Sequence, residues 1–300
     1  MKKLLFFVLF VVLAVSAFIP PAASQTSGAE LPCVPDTENP DWVPDYANAC
    51  VVWIPHIAAS GEEDPVRWET IVTIINNSID KLLRFQLLWF DDSGNAFNLL
   101  REHQILTGAT WSDNVQPRER VELTYTSPTS GTISGGMRVE IIPRPGSHTI
   151  GATVFATFQL RKNGTVVNMA TVPAMLPQKN FTLSCSSQTV IAHDISDGDI
   201  LDCGVAFTNP VVQTAVITAT VWRSGGTKFG EFNIPPLPKQ GHIARMLSEF
   251  FPFPFPGGKY SVEISSNVPF VGIGLQNVRK QNDAPEKFVI STIPFGPERK

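Results

Sequence analysis

Past residue 50 the chain is written in short runs where apolar and polar residues alternate, each stopped by Gly, Pro, Asn or Asp. Val51–Ile57 reads as a first strand, and Ala58–Asp64 (AASGEED) as a solvated polar loop. Ile71, Thr73 and Ile75 alternate with Val72 and Ile74 into Asn76-Asn77, a β-branched run closed by turn formers. Leu83–Phe90, Ala96–Leu100, Val121–Tyr125 and Met137–Ile142 continue in the same way. Gly151–Arg161 and Val166–Ala174 form a hairpin around Lys162-Asn163-Gly164-Thr165, whose Asn-Gly pair suits a type I′ turn. One stretch breaks the rule. Ile243, Met246, Leu247 and Phe250 fall at the i, i+3, i+4, i+7 spacing of a short amphipathic helix. Its counterpart, Val121–Tyr125, alternates as a strand, so a single helical turn joining strands satisfies both.

The pattern occurs twice. Asn77 and Asn209, Gly94 and Gly226, and Phe97 and Phe229 share one constant offset. Across Arg101–Asp113 the offset shortens, as Gln116 with Gln240, Leu123 with Leu247 and Pro128 with Pro252 show. The first copy therefore carries an insertion there, and insertions belong in surface loops. Val139-Glu140-Ile141 matches Val262-Glu263-Ile264, and Ala170-Thr171-Val172-Pro173 matches Ser291-Thr292-Ile293-Pro294. The expected division is a signal peptide at 1–24, an irregular Pro-rich leader at 25–49, and two β-rich domains at 50–178 and 179–297. Met175–Asn180 is the linker.

The signal reading rests on Lys2-Lys3, the apolar run Leu4–Phe18, the helix-stopping Pro20-Pro21 and Ala22-Ala23-Ser24 before Gln25. The apolar run is short for a membrane span, so cleavage is expected over anchoring, with no stable span afterwards. The product is expected to be secreted, periplasmic or held at a cell surface, and the Met-Lys-Lys start suits a bacterium. Losing Lys2 and Lys3 makes a formal charge of −4 more negative, which excludes a nucleic-acid footprint. With 17% charged and 43% hydrophobic residues, disorder is excluded too. Four cysteines in an exported chain imply disulfides. Three pairings exist; spacing favours Cys33–Cys50 and Cys185–Cys203, each closing a loop worth about 3 kcal/mol.

Candidate chemistry is sparse. Gly131-Thr132-Ile133-Ser134-Gly135 displaces the serine of a nucleophile elbow, and no helix follows. Ser147-His148 sits in a Pro/Gly loop, and His56, His103, His148, His193 and His242 never fall at metal-ligand spacing; surface or loop positions are expected for most of them. Asp194, Asp197, Asp199 and Asp202 surround Gly198 and offer oxygens for Ca²⁺. The plainer reading is a turn, where Asp and Gly are favoured, so no cofactor is expected. Phe253 and Phe255, in the Pro-stiffened string 250–258, and Trp111, in the insertion, are the candidate ligand-binding aromatics. Core filling is the plainer role for the phenylalanines of that string and for Trp42, Trp53, Trp68, Trp89 and Trp222. Glu140 and Glu263 are the candidate carboxylates for a hydrolase, and their recurrence points to a shared outward strand face.

Seven or eight short strands per copy, punctuated by turn formers, close most readily as a two-sheet sandwich. The whole is similar to the tandem immunoglobulin-like or fibronectin-type modules of exported bacterial proteins. That resemblance implies an all-β fold of two tandem antiparallel β-sandwich (Ig-like) domains. It implies a non-enzymatic protein for adhesion, scaffolding or ligand binding, with a cell-surface protein or glycan as partner. The alternative is a carbohydrate-binding or enzyme-accessory protein using loop 250–258 or 101–113.

Overall fold

A computed structural model describes residues 31–33, 49–106, 110–142, 149–189, 199–250, 258–280 and 289–293. Apart from one 3-10 turn, every regular element in them is a β-strand, and every paired ladder is antiparallel. Leu31–Lys300 forms one compact unit.

The first half holds two four-stranded sheets. Sheet I has the order β1 (Cys50–Ala59), β8 (Ile133–Ile142), β3 (Leu83–Phe90), β6 (Thr110–Val115). Sheet II has the order β10 (Thr165–Pro173), β9 (Ala152–Lys162), β2 (Val66–Asn76), β7 (Arg120–Tyr125). Their facing residues, among them Ile54, Ile74, Leu87, Trp89, Val139 and Phe158, make one buried core. The insertion becomes a small hairpin, β4 (Leu99–Arg101) with β5 (Gln104–Leu106), leading into β6. The Asn163-Gly164 turn has φ of 50° and 79°, the left-handed pair a type I′ hairpin requires.

The second half contains β11 (Gln178–Thr189), β12 (Asp199–Thr208), β13 (Ile217–Arg223), β14 (Lys228–Asn233), β15 (His242–Met246), β16 (Gly258–Lys280) and β17 (Val289–Ile293). β16 is 23 residues long. Its first part pairs with β11 and β13, and its second part, from Val271, with β12 and β17. This yields sheet III, β14-β13-β16-β11, and sheet IV, β17-β16-β12-β15. Strand for strand these repeat β6-β3-β8-β1 and β10-β9-β2-β7, with β16 covering the positions of both β8 and β9. A second core, with Leu183, Val205, Phe207, Ala219, Val262 and Phe270, lies between them.

Three local expectations change. The helical stripe at 243–250 is mostly strand: β15 runs to Met246, and only Leu247–Glu249 turns as 3-10 helix. Sheet pairing with β12 takes the backbone hydrogen bonds a helix would need, so tertiary context overrides the local period. The equivalent of Asn209 is Asn76, not Asn77. Asn209 Nδ2 donates to the carbonyls of Gln213, Leu237 and Pro238, and Asn76 Nδ2 to those of Lys81 and Val115. Each Oδ1 accepts from the amide two residues on. Both side chains are buried clamps at the ends of matching strands. Asn77 is exposed.

The Val-Glu-Ile match also shifts. The Asp91–Asn95 and Arg223–Thr227 turns close with the same pair of backbone bonds, which fixes Phe90 against Trp222. From there Leu88 faces Arg138 while Thr220 faces Glu263. Glu263 therefore corresponds to Arg138, and Glu140 to Ser265. A slip of two residues keeps every side chain on its face of a strand, so alternation alone does not detect it.

Candidate functional site

Two places gather side chains that core packing does not explain: the seam between the halves and the outer face of sheet III. The seam is built on β1, whose ten residues are all buried. Cys50, Val52 and Ile54 join the first core, while Val51 and Trp53 on the opposite face pack with Leu88, Phe90 and Val271. Continuous apolar sequence fits a strand covered on both sides. The outer face of sheet IV completes the seam, with Ala206, Ile273 and Leu275 merging into the first core.

The β1–β8 register breaks between Ile54 and Ile57, and a bulge of this kind re-aims side chains. The Pro55 carbonyl accepts from Thr208 Oγ1 at 3.1 Å. His56 turns to the second half, its Nδ1 lying 3.1 Å from His242 Nε2. His242 Nδ1 lies 2.7 Å from Asp92 Oδ1. An ionised carboxylate only accepts, so Nδ1 of His242 donates to Asp92. The two imidazoles stack with centroids 5.2 Å apart, and His56 meets Phe158 edge-on. Burial, and secondarily the neighbouring His242, push the His56 pKa down to about 3. Across β8 glycines admit the approach: a Cβ on Gly136 would sit 2.3 Å from Thr208 Oγ1.

Beside this chain lies a fully buried ion pair. Arg138 Nε donates to Glu140 Oε1 at 2.9 Å and Nη2 lies 2.8 Å from the same oxygen, with both side chains 0% exposed. The Arg138 guanidinium also lies 5.8 Å from the Trp53 ring centroid. On sheet II, Glu69 has a different setting. Burial opposes its charge, but hydrogen bonds from Gln159, Arg161 and Arg67 outweigh that and hold its carboxyl below the usual range.

The outer face of sheet III is the matching surface of the second half, and its chemistry is different. Thr218, Thr220 and Trp222 alternate outward on β13, opposite Ser265, Glu263 and Ser261 on β16. Trp222 is half-buried rather than core, and its Nε1 donates to Glu263 Oε2 at 2.8 Å. An open groove of about 680 Å³ is lined by Trp222, Arg223, Lys259, Ser261, Glu263 and Ser184 among others. A second hollow of about 170 Å³ adjoins it and shares Glu263. Along β14, Lys228 bonds to Glu231 and holds that exposed carboxyl below the usual range.

The predicted residues fare as follows. The disulfides are Cys33–Cys50 and Cys185–Cys203; the first pins the leader to β1, and the second ties β11 in sheet III to β12 in sheet IV. Trp111 stands opposite Leu87 in the β3–β6 ladder, and its side chain lies outside the described residues. Phe253, Phe255, Asp194 and Asp197 lie outside them too, as do Ser147-His148 and His193. Asp199 and Asp202 begin β12, opposite Lys280 and Asn277. Among the described residues no cluster of three or more His, Cys, Asp or Glu is placed to hold a metal. No helix among them is long and apolar enough to cross a membrane.

Sequence reasoning missed the histidines. His56 and His242 are buried and paired across 186 positions, which no local spacing shows. His103, on the insertion hairpin, is exposed and meets Glu62 at 3.0 Å.

No family model matches the chain, and no curated protein matches it. Among solved structures, it is similar to a serine-rich repeat protein of Streptococcus agalactiae, at 6% identity over 82% of this chain and 79% of that one, with a TM-score of 0.17. Another is a calcium-binding mutant of Bacteroides uniformis β-glucuronidase 2, at 9% identity over 86% of this chain and 30% of that one, with a TM-score of 0.12. At those TM-scores neither likeness carries an argument.

Proposed function

We propose that this is an exported, non-catalytic binding protein, two β-sandwich halves locked together to present a surface to a partner outside the cytoplasm. The observation that carries the reading is the seam. The Arg138–Glu140 pair and the His56–His242 contact are buried between the halves, where they serve cohesion and lie out of reach of a substrate. The Asp92–His242–His56 chain has the base and the orienting carboxylate of a hydrolase triad, but it runs into the Phe158 ring rather than a hydroxyl or thiol. Two disulfides favour an oxidising compartment, and the signal-like first 24 residues agree with that address.

Beads coated with the full mature protein test the reading. They should adhere to a glycan- or protein-bearing cell surface, and the soluble protein should leave chromogenic ester, peptide and glycoside substrates unchanged. Turnover of any of these, abolished by a single substitution, would overturn it.

A further inference from the structure

We infer that the outer face of sheet III binds an uncharged oligosaccharide, with Trp222 as the platform for a sugar ring and Glu263 as the acceptor for its hydroxyls. This rests on the non-catalytic binding reading above and names a site and a ligand class for it.

The fold itself provides a comparison. Sheets I and III occupy equivalent positions, and so do their outer faces. On sheet I that face bears Val51, Trp53, Leu88 and Phe90, and the second half covers it. On sheet III the equivalent positions bear Asn180, Thr182, Thr220 and Trp222, and Glu263 stands where sheet I has Arg138. A face meant to receive another copy would repeat the apolar set. This one has exchanged Val51, Trp53 and Leu88 for an amide and two hydroxyls, keeps one aromatic ring, and sets a carboxylate in place of Arg138, the chemistry of a ligand with many hydroxyls and apolar ring faces.

The geometry fits that ligand. The main groove has the volume of a small-ligand site, and the adjoining hollow extends it along the strands past Glu263. The bond from the indole Nε1 to Glu263 fixes the ring plane and the carboxylate before anything binds, which lowers the ordering cost of association. An indole face accepts the C–H faces of a pyranose through weak polarised contacts, while Glu263 Oε1 and the Ser184 and Ser261 hydroxyls offer hydrogen bonds to its edge. Glu263 sits in the middle of the face and shares the groove with Arg223 and Lys259, Arg223 lying over the Phe229 ring at 5.0 Å. Both signs of charge are present, which suits a ligand of many hydroxyls better than one of a single charge sign.

The test is a titration of the mature protein, ¹⁵N-labelled at tryptophan, with cellohexaose, laminarihexaose, maltohexaose and chitohexaose in turn, and with heparin as the anionic control. At least one hexaose should move the Trp222 Nε1–H resonance. Trp222→Ala should weaken that binding about 30-fold, the scale of an interface hot spot. Trp222→Phe should weaken it less, and Glu263→Gln about 10-fold, with unchanged melting temperatures showing the variants are folded. The inference is overturned if no hexaose binds, if only heparin binds, or if Trp222→Ala binds as well as the parent. Bead adhesion surviving such a result would leave the binding reading standing. Hydrolysis of a hexaose with the Trp222 shift retained would overturn the non-catalytic reading and keep the site.

Discussion

His56 Nδ1 and His242 Nε2 meet at 3.1 Å, although 186 positions separate them in the chain. The contact bridges the two halves where the β1 bulge faces the start of β15. It also makes their union sensitive to protons. Among the described residues the groups facing His56 are His242, with Asp92 behind it, and the Phe158 ring, and no carboxylate among them directly compensates a charge on His56.

Acid should therefore weaken the protein. The His56 pKa falls from 6.5 to about 3 on folding. Between those values the unfolded chain binds a proton that the native chain does not, so stability rises with pH across the window. This contribution is fully present above pH 6.5 and is lost progressively as pH falls toward 3. Urea midpoints from pH 7.5 to 4 should decline, and His56→Gln should flatten part of that decline. An unchanged pH slope in His56→Gln would show that other groups carry it.

The Arg138–Glu140 pair predicts a non-additive pair of substitutions. Arg138→Met leaves a buried carboxylate and should cost about 3–5 kcal/mol. Arg138→Met with Glu140→Leu should cost less than the sum of the two single losses, because the two charges are coupled at 0% exposure. Urea denaturation of the two single variants and the double variant measures this.

Gly136 is where Thr208 approaches β8, with 2.3 Å left for a Cβ. Gly136→Ala should cost about 1–3 kcal/mol through overpacking. Adding Thr208→Ala should return part of that loss, giving a coupling energy above about 0.5 kcal/mol in a double-mutant cycle.

The two asparagines at the end of β2 should separate sharply. Asn76→Ala removes a buried amide that satisfies two carbonyls and one N–H, and should cost more than about 2 kcal/mol. Asn77→Ala, at an exposed position, should stay within about 0.5 kcal/mol. Equal losses at both would contradict the placement of Asn76 as the counterpart of Asn209.

The sequence by itself determined the β-strands other than His242–Met246, the I′ hairpin at Asn163-Gly164, the antiparallel sandwich architecture and both disulfide pairings. These depend on signals within a few tens of residues: alternation, turn residues and loop length. The tertiary structure decided the rest. Alternation has a period of two, so the slip of two residues that makes Arg138 the partner position of Glu263 leaves the pattern intact. Nor does alternation say what lies beyond an outward face. Trp53 and Trp222 are both tryptophans on strands, yet one is closed into the seam and the other lines an open groove. His56 and His242 carry no local mark because their pairing exists only once the halves dock. Strands form from neighbouring residues, but a site forms from surfaces brought together by packing, and burial is a property of the assembled sheets.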